Sequence, residues 1–368
     1  MKETSILIKP ASSTCNAVCT YCFYDDVSDC RTVKSHGLIA QETWQKLVDD
    51  AYTSPEGYDK ITFLFQGGEP LLAGYKFFSE FINYTQNHKG AIDVHYAVQT
   101  NGTRLSDRIC KLLKDNNFLV GISIDGFQEN HDRFRMLHGK GSFESVMDGL
   151  ALLRKYDIPY NVLTVLTKQL AKSPERLYQF YKEQQFEFVQ IIPCMPSFSN
   201  TVYEDPFACT PESFDSFYRD FFELWMADFA KGDYMSEGLI DDAIRVLSGV
   251  QPIRCGMMGQ CQSQCIVESN GSIYPCDFYV LDDYEAGNIN KTKLNDILAH
   301  PVMESFKYDH QDYPKSCLSC PFVDICRGNC KRLRANFAGD DLCGYQNLLS
   351  QIQPKIPQIH AILNSLGS

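Results

Sequence analysis

Three cysteines near the start of the chain, Cys15, Cys19 and Cys22, form C-x3-C-x2-C. Three thiolates bring a [4Fe-4S] cluster to three-quarters coordination and leave one iron open to a substrate or cofactor, whereas an electron-transfer cluster normally has four protein ligands. The competing chemistry is a zinc knuckle whose fourth ligand lies elsewhere, although zinc sites usually arrive as two paired C-x2-C arms. A second constellation comes late: Cys261-x9-Gly271-x4-Cys276, then Cys317-x2-Cys320-x5-Cys326-x3-Cys330, then Cys343. With Cys255 these make eight thiols, enough for two further [4Fe-4S] clusters without a vacant iron, or for a pair of zinc sites. Two other features carry chemistry. Gly67-Gly68-Glu69-Pro70 follows an apolar run; its glycines permit close backbone approach and its carboxylate could hold an ammonium group, if it is not simply a turn. Asp277 directly follows Cys276, so it is either a base beside a metal group or a cap on turn amides.

These residues need a scaffold. Short β-branched and aromatic runs at 5–9, 60–66, 94–100, 119–125, 161–167 and 186–193 alternate with helical-period stretches at 42–51, 75–87, 106–116, 143–156 and 174–184. That alternation predicts a parallel sheet wrapped in helices, and six βα units fall short of the eight of a closed barrel, so residues 1–200 are expected to form a partial (β/α) barrel. Both the N-terminal cysteine triplet and the GGEP segment then sit where strands end, at the face where barrel active sites belong. After a Pro, Ser and Asn-rich loop at 193–206, a helical region is expected over 201–254. Its Phe214, Phe217, Phe221, Trp225 and Phe229 recur at spacings of three and four as a core stripe. From 255 to 368 the cysteines are dense and the helices short; Asn270-Gly271 between two apolar pairs predicts a hairpin turn, and a helix closes the chain.

The chain has 368 residues, 46 acidic and 34 basic, for a net charge of -12. A polyanion partner needs a basic surface, so non-specific nucleic-acid binding is not expected. A hydrophobic fraction of 44% with 12% aromatics supports a real core and excludes an intrinsically disordered chain. The opening MKETSILIKP lacks an apolar signal region, and no stretch approaches the length of a membrane span, so a cytoplasmic, membrane-free protein is expected. In a reducing compartment the 16 cysteines serve as metal ligands, catalytic thiols or buried apolar residues. Cys30, Cys110, Cys194, Cys209 and Cys265 fall outside both constellations and receive no metal role, though Cys265 could compete with Cys261.

With aromatic Tyr21 before its last cysteine, C-x3-C-x2-C resembles the signature of the radical S-adenosylmethionine (SAM) superfamily. The resemblance implies a partial (β/α)6 radical SAM barrel. It also implies that the open iron chelates SAM, and that Gly68 and Glu69 grip the SAM amino group. Ser123 in SIDG and Arg135 in HDRFR would then contact the ribose or carboxylate region, and Met195 would pack near the adenine. The later cysteines resemble the SPASM extension. On that pattern Cys255, Cys261, Cys276 and Cys330 would hold one auxiliary cluster and Cys317, Cys320, Cys326 and Cys343 a second, giving three [4Fe-4S] clusters in all.

The order SILIKPAS, C-x3-C-x2-CFY, FQGGEP, QTNGT and YPCDFYVLD is similar to the anaerobic sulfatase-maturating enzymes. These convert a cysteine or serine of a sulfatase polypeptide into Cα-formylglycine, with electrons from a reductant such as flavodoxin or ferredoxin. Asp277 would be the base, and Tyr24 and Gln66 would position the substrate. The alternative is a SPASM enzyme that forms thioether or carbon-carbon crosslinks in a ribosomal peptide. Many such enzymes carry a leader-binding domain before the barrel, and only 14 residues precede Cys15, which favours the sulfatase reading.

Overall fold

The computed structural model describes residues 2–308 and 313–366. They fall into two compact units. The first takes residues up to Ile124, Asp132–Tyr160 and Ser263–Tyr308; the second takes Asp125–His131, Asn161–Gln262 and the described residues from Tyr313 on. In chain order the first unit contributes β1 (Glu3–Ile8), β2 (Ala17–Cys19), β3 (Lys60–Phe65), β4 (Asp93–Thr100), β5 (Leu119–Ser123), β6 (Arg135–Leu137) and β7 (Lys140–Gly141). All but the first residue of β8 (Tyr160–Leu166), with β9 (Phe188–Pro193) and β10 (Ser236–Glu237), lies in the second. The chain then returns to the first for β11 (Cys265–Val267), β12 (Ser272–Tyr274) and β13 (Gly287–Asn288).

All six strands expected of the partial barrel form, four in the first unit and two in the second. In the first unit β5, β4, β3 and β1 lie side by side in parallel, and β11 joins the free side of β1, also in parallel, with Ile6 opposite Cys265 and Ile8 opposite Val267. A chain segment from the cysteine-rich region therefore extends the sheet that carries the first cysteine loop. The predicted turn follows: Val267 pairs with Ile273 across β11 and β12, and Gly271 adopts φ +89°, a conformation that favours glycine. A small antiparallel sheet of β2, β6 and β7 sets Cys19 opposite Arg135.

Period-two alternation explains β3. Ile61, Phe63 and Phe65 point inward and are fully buried, and Phe65 meets Phe78 and Phe81 of helix Gly74–His88 at 5.1 Å between ring centroids. Each such side chain removed from water contributes about 1.5–3 kcal/mol, which fixes the strand's face and with it the direction of every side chain at its end. In the second unit the expected stripe is core: Phe214, Phe217, Phe221, Trp225 and Phe229 of helix Pro211–Phe229 are all buried, and Trp225 donates its indole N–H to the Met235 carbonyl at 2.7 Å. β9 in this unit lies between β8 and β10 in parallel pairings.

Candidate active site and cluster cradles

The loop between β1 and β2 is folded on itself before the first cysteine. Ser12 N–H donates to the Lys9 carbonyl and Thr14 N–H to that of Ala11, at 3.1 and 2.9 Å. The GGEP segment after β3 lies flat against this loop, with Gly68 N–H donating to the Ser12 carbonyl and Glu69 N–H to the Thr14 carbonyl, both at 2.9 Å. A Cβ on Gly68 would stand 2.1 Å from the Thr14 carbonyl oxygen, and one on Gly67, at φ +127°, would stand 2.7 Å from that of Ser12. The two glycines are thus needed for backbone contact with the cysteine loop, three residues and one residue before Cys15.

Glu69 is fully buried. Its Oε1 accepts from Leu71 N–H at 2.9 Å and Thr100 Oγ1 at 2.8 Å, and its Oε2 accepts from Asn101 N–H at 2.8 Å. Burial pushes its carboxyl up to about 6 against the pull of those donors. Oε2, with one protein donor, retains an acceptor site for a ligand cation. Asn101 also sends its amide toward Cys15 Sγ at 3.7 Å, and Ala17 N–H donates to the same sulfur at 3.4 Å. Arg135, paired across β2 and β6, holds Nη1 3.9 Å from Cys19 Sγ and its guanidinium 5.6 Å from the Tyr21 ring centre. Three thiols on one short loop, supplied with N–H donors and a cation, suit a cluster with three protein ligands. Ser123, at the end of β5, accepts from Gln99 Nε2 at 3.2 Å. Met195 follows β9 in the second unit and is half-buried.

Asp277 opens a single helical turn, Asp277–Tyr279, and is buried at 8% exposure. Four side chains close on one another here. Tyr24 donates its hydroxyl to Asp277 Oδ2 at 2.5 Å, and Gln66 Nε2 donates to Tyr24 Oη at 2.6 Å and to Asp277 Oδ2 at 3.2 Å. The fourth, Lys9, was missed by sequence reasoning: it is 2% exposed, its Nζ lies 2.9 Å from Asp277 Oδ1, and it stands 4.4 Å from the Tyr24 ring centre. The available signal was a lysine ending the apolar strand SILIK, since a cation buried there demands a counter-charge. Burial, reinforced by the charge of Asp277, holds the Tyr24 phenol well above its ordinary value, so it acts as a donor. A carboxylate so held, at the ends of β1 and β3, can take a proton from a group placed against it.

Of the later cysteines, Cys317, Cys320, Cys326 and Cys343 line one recess with Phe322, Val323, Tyr345 and Leu349 in the second unit. Gln346 N–H donates to Cys343 Sγ at 3.4 Å. Four thiols around one apolar recess suit a fully ligated [4Fe-4S] cluster. Among the described residues no three His, Cys, Asp or Glu gather tightly enough for a single metal ion. Cys255, Cys261 and Cys330 also lie in the second unit, where a Cβ on Gly256 would stand 2.9 Å from Cys330 Cβ, so the two ligand loops abut. Asp242, 2% exposed, anchors the residues before Cys255 by accepting from Ile253 N–H at 2.7 Å, Arg254 N–H at 3.2 Å and Arg254 Nε at 2.9 Å. Cys276 lies in the first unit. Cys265 is buried within β11, and burial alone pushes its thiol up to about 12.

A partial-barrel sheet whose first strand leads into a three-cysteine loop, followed later in the chain by a thiol-rich region, defines a radical SAM protein carrying an iron-sulfur extension. The Radical SAM superfamily model matches residues 10–181, and the SPASM iron-sulfur cluster-binding domain matches residues 255–321. The cysteine-type anaerobic sulfatase-maturating enzyme of Clostridium novyi (strain NT) is 39% identical over 334 residues, covering 90% of this chain and 89% of its own. The serine-type enzyme of Bacteroides thetaiotaomicron is 28% identical, covering 96% and 90%. A solved structure of native anSMEcpe with bound AdoMet and Kp18Cys peptide superposes with a TM-score of 0.88 at 32% identity, covering 99% of both chains. The chain belongs to the anaerobic sulfatase-maturating enzymes. Among the described residues no helix is long and apolar enough to cross a membrane.

Proposed function

We propose that this enzyme oxidises a cysteine side chain of a sulfatase polypeptide to Cα-formylglycine, and that Asp277 is the base. The observation that carries this reading is the buried carboxylate of Asp277, held by Lys9, Tyr24 and Gln66 at the strand ends that also carry the cysteine loop and Glu69. The higher identity to the cysteine-type relative, 39% against 28% for the serine-type one, supports cysteine as the preferred target.

In this reading Cys15, Cys19 and Cys22 hold the cluster that faces SAM, Glu69 receives the SAM ammonium, and Tyr21, Gly68, Ser123, Arg135 and Met195 complete the cofactor's surroundings. A reduced cluster and SAM, when bound, supply a radical able to remove a hydrogen atom from a carbon. Going from a thiol-bearing carbon to the carbonyl level then requires loss of one further proton and one electron. Asp277 takes the thiol proton, and Tyr24 and Gln66 orient the carboxylate and the target. Cys255, Cys261, Cys276 and Cys330, and Cys317, Cys320, Cys326 and Cys343, hold two clusters suited to accept the electron. Water replaces sulfur in the resulting thioaldehyde and hydrogen sulfide leaves. The division of labour follows the chain: 1–200 for radical generation, 201–254 as a helical link, 255–368 for electron uptake. A cytoplasmic flavodoxin or ferredoxin would serve as reductant.

The test is anaerobic incubation with SAM, a reductant and paired peptides bearing C-x-P-x-R or S-x-A-x-R, followed by mass spectrometry. Formylglycine is expected from both, faster from the cysteine peptide. SAM cleavage accompanied by an internal peptide crosslink, or by no peptide change, would replace this reading with that of a crosslinking enzyme.

A further inference from the structure

We propose that Lys9 is a positioning residue for the oxidation, the second anchor that fixes the plane of the Asp277 carboxylate. The inference rests on the assignment of Asp277 as base and extends it to a residue to which the sequence analysis gave no role. Tyr24 and Gln66 both bind Oδ2, which leaves rotation about the Cβ–Cγ bond to swing Oδ1. Lys9 Nζ lies 2.9 Å from Oδ1 as a buried ion pair, and among the described residues no hydrogen bond reaches that oxygen, so the charge of the lysine is what draws Oδ1 to its side. The lysine is itself held. Its N–H donates to the Val267 carbonyl at 2.8 Å, continuing the pairing of β1 with β11, and its buried ammonium stands over the Tyr24 ring, 4.4 Å from the ring centre.

A second carboxylate, Glu268, lies within electrostatic reach of Lys9 and could draw it away. It is already committed: Arg31 Nη1 binds its Oε2 at 2.8 Å in a buried pair, and Ser269 N–H binds its Oε1 at 2.7 Å. The Lys9 ammonium also favours the ionised form of Glu268, while its contact at 2.9 Å is with Asp277. Proton transfer from a target thiol depends on the angle at which the accepting oxygen faces it, and a misplaced acceptor loses the proton step while leaving radical formation intact.

Lys9→Met and Lys9→Arg would be made in the reconstituted enzyme, and 5'-deoxyadenosine and formylglycine would be measured in the same reactions. Lys9→Met is expected to go on forming deoxyadenosine while formylglycine per deoxyadenosine falls by about tenfold or more; Lys9→Arg, which keeps the charge, recovers part of that ratio. An unchanged ratio in Lys9→Met overturns the proposal. So does a parallel fall of both products at full iron content, because that is what a merely structural role gives. Melting of the same proteins supplies a readout independent of turnover. Lys9→Met melts lower than the parent, and adding Asp277→Asn recovers part of the loss by removing the unpaired charge; a double variant no more stable than Lys9→Met overturns the pairing. Absence of formylglycine from the parent enzyme would instead refute the oxidation, and the melting comparison would still decide whether Lys9 and Asp277 act as a pair.

Discussion

Glu69 is caught between burial and hydrogen bonding, and the balance makes its charge adjustable. Full burial disfavours the carboxylate, while three hydrogen bonds from Leu71, Thr100 and Asn101 favour it, and the outcome is a carboxyl at about 6 instead of 4.5. At neutral pH the ionised form is then favoured by about tenfold. The sign for the ligand-free chain follows: the stability attached to this group is fully present below the unfolded value of 4.5 and is lost as pH rises through about 6. A bound ammonium reverses the preference. SAM affinity is therefore expected to hold near neutral pH and to weaken by up to about tenfold per unit below pH 6, and Glu69→Gln to bind weakly at every pH. Equilibrium titration of SAM across this range checks it; a flat profile in the parent would remove Glu69 from the SAM site. Here the sequence exposed the carboxylate, since GGEP is a local motif, but not the donors from Thr100 and Asn101, which arrive from the end of a neighbouring strand.

Local geometry at the strand ends depends on which backbones touch. Gly68 sits where a Cβ would meet the Thr14 carbonyl oxygen at 2.1 Å, and backbone on both sides leaves nothing flexible to give way. Gly68→Ala is expected to cost about 1–3 kcal/mol and to displace the Cys15 loop, seen as a lower melting temperature and iron missing from the N-terminal site. Gly238 is the control: it begins helix Gly238–Leu247, a Cβ there meets nothing nearer than 3.8 Å, and Gly238→Ala should leave melting and iron content nearly unchanged. Equal iron loss in both would show that the close contact at Gly68 has no special role. Hydrophobic periodicity made the strands and the Pro211–Phe229 stripe legible, because inward and outward alternation is written residue by residue. It could not show that β11 pairs with β1, because a three-residue apolar strand is compatible with many partners.

Over the whole molecule, the three [4Fe-4S] clusters proposed for this chain predict about 12 irons with matching sulfide per chain, and zinc in their place would defeat the reading. Cys326→Ala, which removes one of the four thiols around the second-unit recess, is expected to lower iron to about 8 per chain while deoxyadenosine still forms and formylglycine falls. Iron unchanged by that substitution would assign the recess no cluster. The sequence by itself determined the C-x3-C-x2-C triplet and the GGEP segment as local motifs, because each is written over a few covalent bonds and survives any change in the surrounding packing. It also determined the alternation of strands and helices. Only the tertiary structure decided what Asp277 faces. Tyr24 and Asp277 are 253 residues apart, and Lys9 is farther still from Asp277; they meet because β11 lies beside β1 and carries the Asp277 turn to the end of the first strand. Strand order and register are set by burial over the entire sheet, and no local pattern contains them.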